Sequence, residues 1–411
     1  MNPIYNLFVY LVWSLSTYFV VLFLLVLFLY KNSLFEKKKA LTSFPLVSVI
    51  VPAYNEEAKI GETIDSLKKI KYPNAEFIIV NDGSKDGTSK VVRAALGNDT
   101  RFQFIDRLEN YGKAASLNQA IGMARGEFVA CMDADSSAEP YIFQKALPYF
   151  DTENIGAVTV SVELKRPKKI LHKMIDIEYI IGLSLFLKIF SLVDCVFVTP
   201  GPFSIYRRKM LEEIKGFDAK NITEDHEIAY RIHKAGYRIM NCLNAKVRTL
   251  TPETFKGIYV QRRRWYSGAL YTLAQHRDVV FNKKMGLFGL FVPYNYLLIG
   301  TGILLFYFST AMTITQIITT LVHYKYTNYN FFSHLLDFNL DFLITRRIYF
   351  VGLTASMFTI LMMVAGLKLT NNKFWTRKVG LLTFPYMFIC YQIFWTGALW
   401  AVVRRRSVSW R

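Results

Sequence analysis

Carboxylates gather at three places where short apolar runs stop. Leu46-Val47-Ser48-Val49-Ile50-Val51 gives way to Pro52-Ala53-Tyr54-Asn55-Glu56-Glu57, Phe77-Ile78-Ile79-Val80 to Asn81-Asp82-Gly83-Ser84, and Phe128 to Met132 to Asp133-Ala134-Asp135. Any one of these could be a turn or a helix cap, since Asn, Asp, Gly and Ser serve turns in any case. Three acidic ends on one rim ask for more than turn chemistry. With no His or Cys ligand nearby, paired carboxylates suit a hard divalent cation, Mg2+ or Mn2+. Such a cation takes oxygen ligands and keeps substrate phosphates in its shell. The other phosphate-binding devices are missing: the chain has neither G-x-G-x-x-G after its first apolar run nor G-x-x-x-x-G-K-[ST]. Further along come Thr223-Glu224-Asp225, ahead of a helical stretch from His226 to Ala235, and Gln261-Arg262-Arg263-Arg264-Trp265. An arginine run can be a solvated or lipid-facing patch. The planar guanidinium fork also suits a diphosphate, which it binds bidentately while staying charged.

These residues need a scaffold that brings their ends together. Apolar runs at 46–51, 77–80, 102–105, 128–132 and 157–160 read as strands. Helical spacing over 57–70, 84–96 and 114–123 places helices between them. Strands alternating with helices predict an α/β unit with a mostly parallel sheet. Short continuous apolar strands predict a sheet covered on both faces. Ligands in such sheets sit beyond the carboxyl ends of the strands, where the acidic residues fall.

Around this unit the chain turns apolar. Of 411 residues, 52% are hydrophobic and 16% aromatic, and the mean hydropathy is +0.22. That composition excludes a disordered chain, a collagen-like repeat and a small disulfide scaffold. The segment from Leu7 to Tyr30 is uncharged, long enough to span a bilayer, and followed by Lys31 and Lys37-Lys38-Lys39. With no charge before it and no small-residue cleavage site after it, it reads as an anchor and not a cleaved signal. The positive-inside rule places this basic segment, and the domain attached to it, in the cytoplasm. Apolar stretches return at 287–322, 348–367 and 379–403. The first, interrupted by Pro293 and Gly300, reads as an interfacial helix feeding one span. A single crossing there puts Arg404-Arg405-Arg406 outside; a hairpin puts them inside but exposes Lys368, Lys373, Arg377 and Lys378, so the number of C-terminal spans stays open. The expected organisation is an anchor and basic linker over 1–45, a cytoplasmic catalytic domain over 46–285, and interfacial and transmembrane helices over 286–411. The formal charge of +19 fits nucleic acid, anionic headgroups or a phosphorylated substrate equally. Four widely spaced cysteines, Cys131, Cys195, Cys242 and Cys390, read as reduced core or membrane residues.

Taken in order, Asp82, Asp133-Ala134-Asp135, Thr223-Glu224-Asp225 and Gln261-Arg262-Arg263-Arg264-Trp265 resemble the D, DxD, TED and QxxRW motifs of processive family 2 glycosyltransferases. That group includes the cellulose, hyaluronan and poly-N-acetylglucosamine synthases. In length and layout the chain is similar to the bacterial poly-N-acetylglucosamine synthases of biofilm formation. The resemblance implies a GT-A-like nucleotide-sugar-binding domain set between N- and C-terminal transmembrane helices in a multi-pass protein of the cell membrane. It implies a UDP-sugar donor, with Tyr54 and Glu56 near the base, Asp82 near the nucleoside, and Lys113 as a basic donor contact or a solvated helix-start lysine. Asp133 and Asp135 would hold the cation, Asp135 more directly. Arg264 and Arg262 would bind the donor phosphates, Gln261 would be a further substrate-binding residue, Asp225 would be the base of an inverting transfer, and Glu224 would shape its loop. Trp265 would face a sugar ring at the acceptor end, or else be an interfacial aromatic. The partners so implied are a polysaccharide or lipid-linked acceptor, the bilayer and room for a small membrane accessory subunit, with no nucleic acid. One segment departs from the family: Thr199-Pro200-Gly201-Pro202-Phe203 stands where those synthases often carry a Ser-Gly or Cys-Gly-Ser acceptor loop, which leaves the acceptor open.

Overall fold

The computed structural model describes residues 3–35, 38–327 and 347–404; Lys37, Arg405 and Arg406 of the expected basic clusters lie outside them. The chain begins with helices α1 (Pro3–Leu29) and α2 (Lys31–Phe35). Strands and helices then alternate: β1 (Val47–Ala53), α3 (Ile60–Lys68), β2 (Ala75–Asp82), α4 (Thr88–Leu96), β3 (Phe102–Arg107), α5 (Lys113–Met123) and β4 (Phe128–Cys131). Next come β5 (Ser137–Ala138), α6 (Ile142–Ala146), β6 (Ile155–Leu164), α7 (Ile170–Tyr179), a π-helical segment over Ile180–Phe186, α8 (Leu187–Leu192), β7 (Ser204–Arg207), α9 (Arg208–Glu213), α10 (Glu224–Lys234), β8 (Arg238–Thr249) and α11 (Phe255–Gln275). The chain continues with α12 (Gly286–Thr327), α13 (Arg347–Leu369), α14 (Phe374–Thr383) and α15 (Met387–Val403).

The eight strands form one sheet in the order β3-β2-β1-β4-β7-β6-β8-β5. The half containing β1 to β4 is parallel throughout. Beyond it β7 runs antiparallel to both β4 and β6, β6 and β8 are again parallel, and β5 closes the edge antiparallel. Continuous apolar strands result from burial on two faces. Val49, Val51, Phe77 and Ile79 enter one core, while Ile50, Ile78, Val80 and Val129 enter the other, because successive side chains point to opposite faces. The strands and helices expected before residue 132 all form, in the expected order. In the antiparallel half β6 is buried at every residue, although Thr159, Ser161 and Glu163 alternate with its apolar residues.

The apolar helices pack against this domain. Phe23 and Val26 of α1 share a buried cluster with Leu185, Ile189 and Met362, and α1 also contacts α12. Among the described residues two stretches, Lys283–His323 and Phe374–Val403, are long and apolar enough to cross a membrane. The expectation of an interfacial helix feeding a separate span at 287–322 is corrected. Pro293 sits inside one unbroken helix, Gly286–Thr327, whose first turns bury Phe288 and Val292 against Tyr230 and Val279 of the catalytic domain. The expected span at 379–403 is also redrawn. It starts earlier, as α14, and is divided by the turn Phe384–Tyr386. Arg377 of α14 docks on α7, its Nε 2.8 Å from Asp176 Oδ2, which explains basic residues inside an apolar stretch.

Candidate active site

A cleft of about 800 Å3 opens at the carboxyl ends of β1, β2 and β4, and runs on toward α11, α12 and α15. Its walls contain Tyr54, Glu56, Asp82, Lys113, Asp133, Asp135, Glu224, Asp225, Gln261, Arg264 and Trp265. Eleven of the twelve residues singled out from sequence therefore share one cavity, although up to 211 positions separate them in the chain (265 − 54).

Asp82 ends β2 and holds the loop that follows β3. Its Oδ1 accepts from Arg107 Nη1 at 2.7 Å and from the Tyr111 amide at 3.1 Å, and its Oδ2 accepts from the Gly112 amide at 2.7 Å. Asp82 therefore shapes the donor end of the cleft with its carboxylate already engaged. Arg107, which the sequence reading passed over, is the cation that balances it. Lys113 opens α5 and is no solvated lysine: its Nζ lies 2.7 Å from both Asp133 Oδ1 and Glu224 Oε1. Burial works against its charge, but Asp133, Glu224 and Asp225 outweigh that and hold its pKa well above the usual lysine value. Glu224 thus anchors the lysine.

Asp135 is half-buried beside Asp133 and Glu56, and accepts from Thr249 Oγ1 at 3.1 Å. Burial first, then repulsion from those two carboxylates, pushes its pKa up to about 6. Asp225 stands in the first turn of α10. Burial, then Glu224 and Asp133, push it up to about 6 against the pull of Lys113 and Arg264. The unusual Thr199–Phe203 loop lies between these two centres. The Gly201 amide donates to Asp225 Oδ2 at 3.4 Å, and the Gly201 carbonyl accepts from the Asp133 amide at 3.1 Å. A Cβ on Gly201 would come 2.9 Å from both Asp133 Oδ2 and Lys113 Nζ, so a larger residue here would have to displace the ends of that ion pair.

The Gln261–Trp265 segment lies on α11 with its residues sorted by face. Gln261, Arg263, Arg264 and Trp265 line the cleft. Arg262 does not, and its expected place on the donor phosphates is corrected. It is fully buried and turned from the cleft toward Glu178, with its Nη2 2.8 Å from Glu178 Oε2. The helical turn of about 100° per residue separates it from its neighbours. Arg263 takes the cleft position that had been expected of Arg262. Toward the apolar helices the cleft is lined by Tyr179, His226, Tyr296 and Trp395, residues that carried no motif signal. Burial lowers His226 to about 4, so it is neutral at pH 7.

As a cation site the donor set is all oxygen. Among the described residues no three His, Cys, Asp or Glu side chains converge as a metal cage. Two carboxylates that repel each other, beside room for a diphosphate, fit Mg2+ or Mn2+, which complete their shells with substrate phosphates and water.

The family described as "Glycosyltransferase like family 2" matches residues 45–268. The poly-beta-1,6-N-acetyl-D-glucosamine synthase of Staphylococcus aureus (strain COL) is 32% identical over 252 residues, 60% of this chain and 59% of that protein. The synthase of the same name from Staphylococcus epidermidis is 30% identical over 294 residues, 69% of this chain and 68% of that one. The match thus spans about three fifths of the length of the S. aureus relatives. Among solved structures, the mannosyltransferase of Pyrobaculum calidifontis in complex with GDP-Man and Mn2+ superposes with a TM-score of 0.54 at 21% identity, covering 87% of this chain and 99% of that one. It shares the fold. With over half its length matched and its acidic strand ends gathered in one cleft, the chain belongs to glycosyltransferase family 2.

Proposed function

We propose that the chain is an inverting membrane glycosyltransferase that moves N-acetylglucosamine from its UDP donor to the end of a growing polysaccharide and passes the chain across the bilayer. The observation that carries this reading is the continuity of the cleft. Carboxylates line one end, Trp265, Trp395 and Tyr296 the other, and the second end abuts helices long and apolar enough to span a membrane. The sugar is inferred from the staphylococcal relatives' names. In this reading α1 anchors the chain, the domain over 46–285 is cytoplasmic, the C-terminal helices carry the product, and a small membrane subunit could complete the path.

Asp133 and Asp135 would hold the divalent cation. When bound, it neutralises the diphosphate leaving group. Arg263 and Arg264 add positive charge on the same wall, and Lys113 keeps Asp133 and Glu224 in place from beneath. The acceptor hydroxyl has a pKa far above 7, so its attack on the anomeric carbon needs a base, and Asp225 takes that proton. Attack opposite the leaving group inverts the anomeric centre in one step, with no second carboxylate as nucleophile. Tyr54 and Glu56 line the region of the base, and Trp265 presents an apolar ring to the terminal acceptor sugar.

Product size tests the reading. Membranes containing the enzyme and UDP-N-acetylglucosamine should yield a ladder or a high polymer. A single glycolipid would assign the chain instead to one-step transfer onto a lipid carrier, with the same donor chemistry. Polymer from another UDP-sugar alone would move it to a hyaluronan- or cellulose-type synthase.

A further inference from the structure

Arg262 is a cation sealed from water. Its side chain is 0% exposed, and its Nη2 donates to Glu178 Oε2 at 2.8 Å. The guanidinium carbon lies 4.1 Å from the centroid of the Trp265 ring and 5.6 Å from that of Tyr179. The two rings are themselves stacked, with centroids 6.4 Å apart and planes at 30°. Nε and Nη1 of Arg262 have no hydrogen-bond acceptor; the guanidinium lies against aromatic rings instead. Burying a charge with two donors unmatched is a poor way to stabilise a fold, and a well-packed apolar pair of similar size commonly does as well or better. The arrangement therefore asks for a reason other than stability.

The reason lies in what the pair stands behind. Tyr179 and Trp265 line the cleft, whereas Glu178 and Arg262 do not. Glu178 and Tyr179 end α7, and the π-helical segment Ile180–Phe186 comes directly after, carrying Leu183 to the cleft wall. Segments of this kind are rare and gather at functional sites. A tryptophan that holds a sugar by stacking must keep its ring plane while the sugar arrives and moves on. A cation fixed against the ring resists its rotation, and a carboxylate on a different helix fixes the cation.

We propose that Glu178 and Arg262 are positioning residues that hold Trp265 as the platform for the terminal acceptor sugar, acting on the substrate only through the indole. The proposal rests on the acceptor reading of Trp265. It couples α7 and α11 across the acceptor end of the cleft, leaving the donor carboxylates untouched.

The test compares the full-length protein in membranes with Trp265→Ala, Arg262→Met, Glu178→Met, the Arg262→Met/Glu178→Met double variant and Arg262→Lys. Three quantities are read: thermal midpoint, UDP affinity, and UDP released per sugar incorporated. Each single Met variant should lower the midpoint by stranding a buried group, and the double variant should recover it. UDP affinity should hold throughout. The release ratio should rise in Trp265→Ala and stay raised in the double variant by roughly two- to thirtyfold, the range cation–π contacts span from exposed to desolvated sites. Arg262→Lys keeps the charge but loses the planar fork; it should fold and still raise the ratio. A double variant or Arg262→Lys with normal ratio, beside a raised ratio in Trp265→Ala, would leave the pair merely structural and overturn the proposal. An unchanged ratio in Trp265→Ala would overturn the platform reading itself, and the pair's role with it.

Discussion

A base must be unprotonated when it works, and Asp225 is held where that is costly. Burial and the neighbouring Glu224 and Asp133 raise its pKa to about 6, so below that pH it already carries the proton it should accept. Turnover should therefore climb as pH rises and level off above about 6; a flat profile from pH 5 to 8 would remove Asp225 from the base role. Asp225→Asn should cut transfer by about 10²–10⁴, the usual loss of a general base, while calorimetry finds UDP affinity nearly unchanged. In the proposed reading Asp133 and Asp135 would behave differently, since they would serve the donor through the cation. Chelation with EDTA should stop the reaction, Mg2+ or Mn2+ should restore it, and Asp135→Ala should stay inactive at moderate metal concentration; full activity in chelator would take the cation out of the mechanism. The positions of Asp133 and Asp135 in the cleft were legible because they follow a short buried strand, and that of Asp225 because it falls in Thr223-Glu224-Asp225. Arg262 was misread because three adjacent arginines look alike until the helix turns one inward to Glu178. Arg107 went unnoticed, and the Gly201 loop was noted only as a departure from the family, because neither an ion pair to Asp82 nor a close approach to Asp133 leaves a local pattern.

Elements carry the relative placement of those residues, and α11 is the clearest case. It packs on the Thr223–Asp225 segment through Gly268, where a Cβ would lie 2.2 Å from Thr223 Oγ1. Asn221 ties the same two elements. Its side chain accepts from the Thr223 amide at 3.0 Å and donates to Thr272 and Gln275 of α11 at 3.1 Å each. Gly268→Ala should thus force α11 and the base segment apart at a strain of about 1–3 kcal/mol. The expected outcome is a fall in kcat of about tenfold or more with UDP affinity retained, measured at matched protein levels; a loss confined to UDP affinity would place the contact in donor binding instead. Strands β1, β2 and β4 were readable because both faces bury apolar residues and a turn residue marks each end. The contact between α11 and Thr223 was not, because it depends on one missing side chain in a helix whose apolar periodicity is broken by the three arginines.

For the molecule as a whole the question is which side of the bilayer each part occupies, and two independent anchors bear on it. Lys31, Lys38 and Lys39 come soon after α1, and a basic cluster after an apolar helix favours the cytoplasmic side. At the other end of the chain α14 is fastened to the catalytic domain. Arg377 pairs with Asp176 at 2.8 Å and reaches Glu163 at 4.0 Å, Asn372 donates to Glu163 at 3.1 Å, and Gly380 lets α14 close on the Lys173 backbone, which a Cβ would approach to 2.4 Å. In the proposed reading the basic residues that made span-counting ambiguous would therefore lie on the domain's own side, and α12 and α13 would leave and return between them. Sequence alone could not reach this, because an ion pair joining residues 176 and 377 has no local signature. A cysteine at exposed Asn98 and another at exposed Lys373 report on the two parts separately. Cys131, Cys195 and Cys242 are buried, so replacing Cys390 with serine gives a quiet background. Both new thiols should resist an impermeant maleimide in intact cells and react once the cells are permeabilised. Labelling of both without lysis would turn the whole protein over, putting the cleft out of reach of cytosolic nucleotide sugars. Labelling of position 373 alone would separate α14 from the domain and break the ion-paired seam between them.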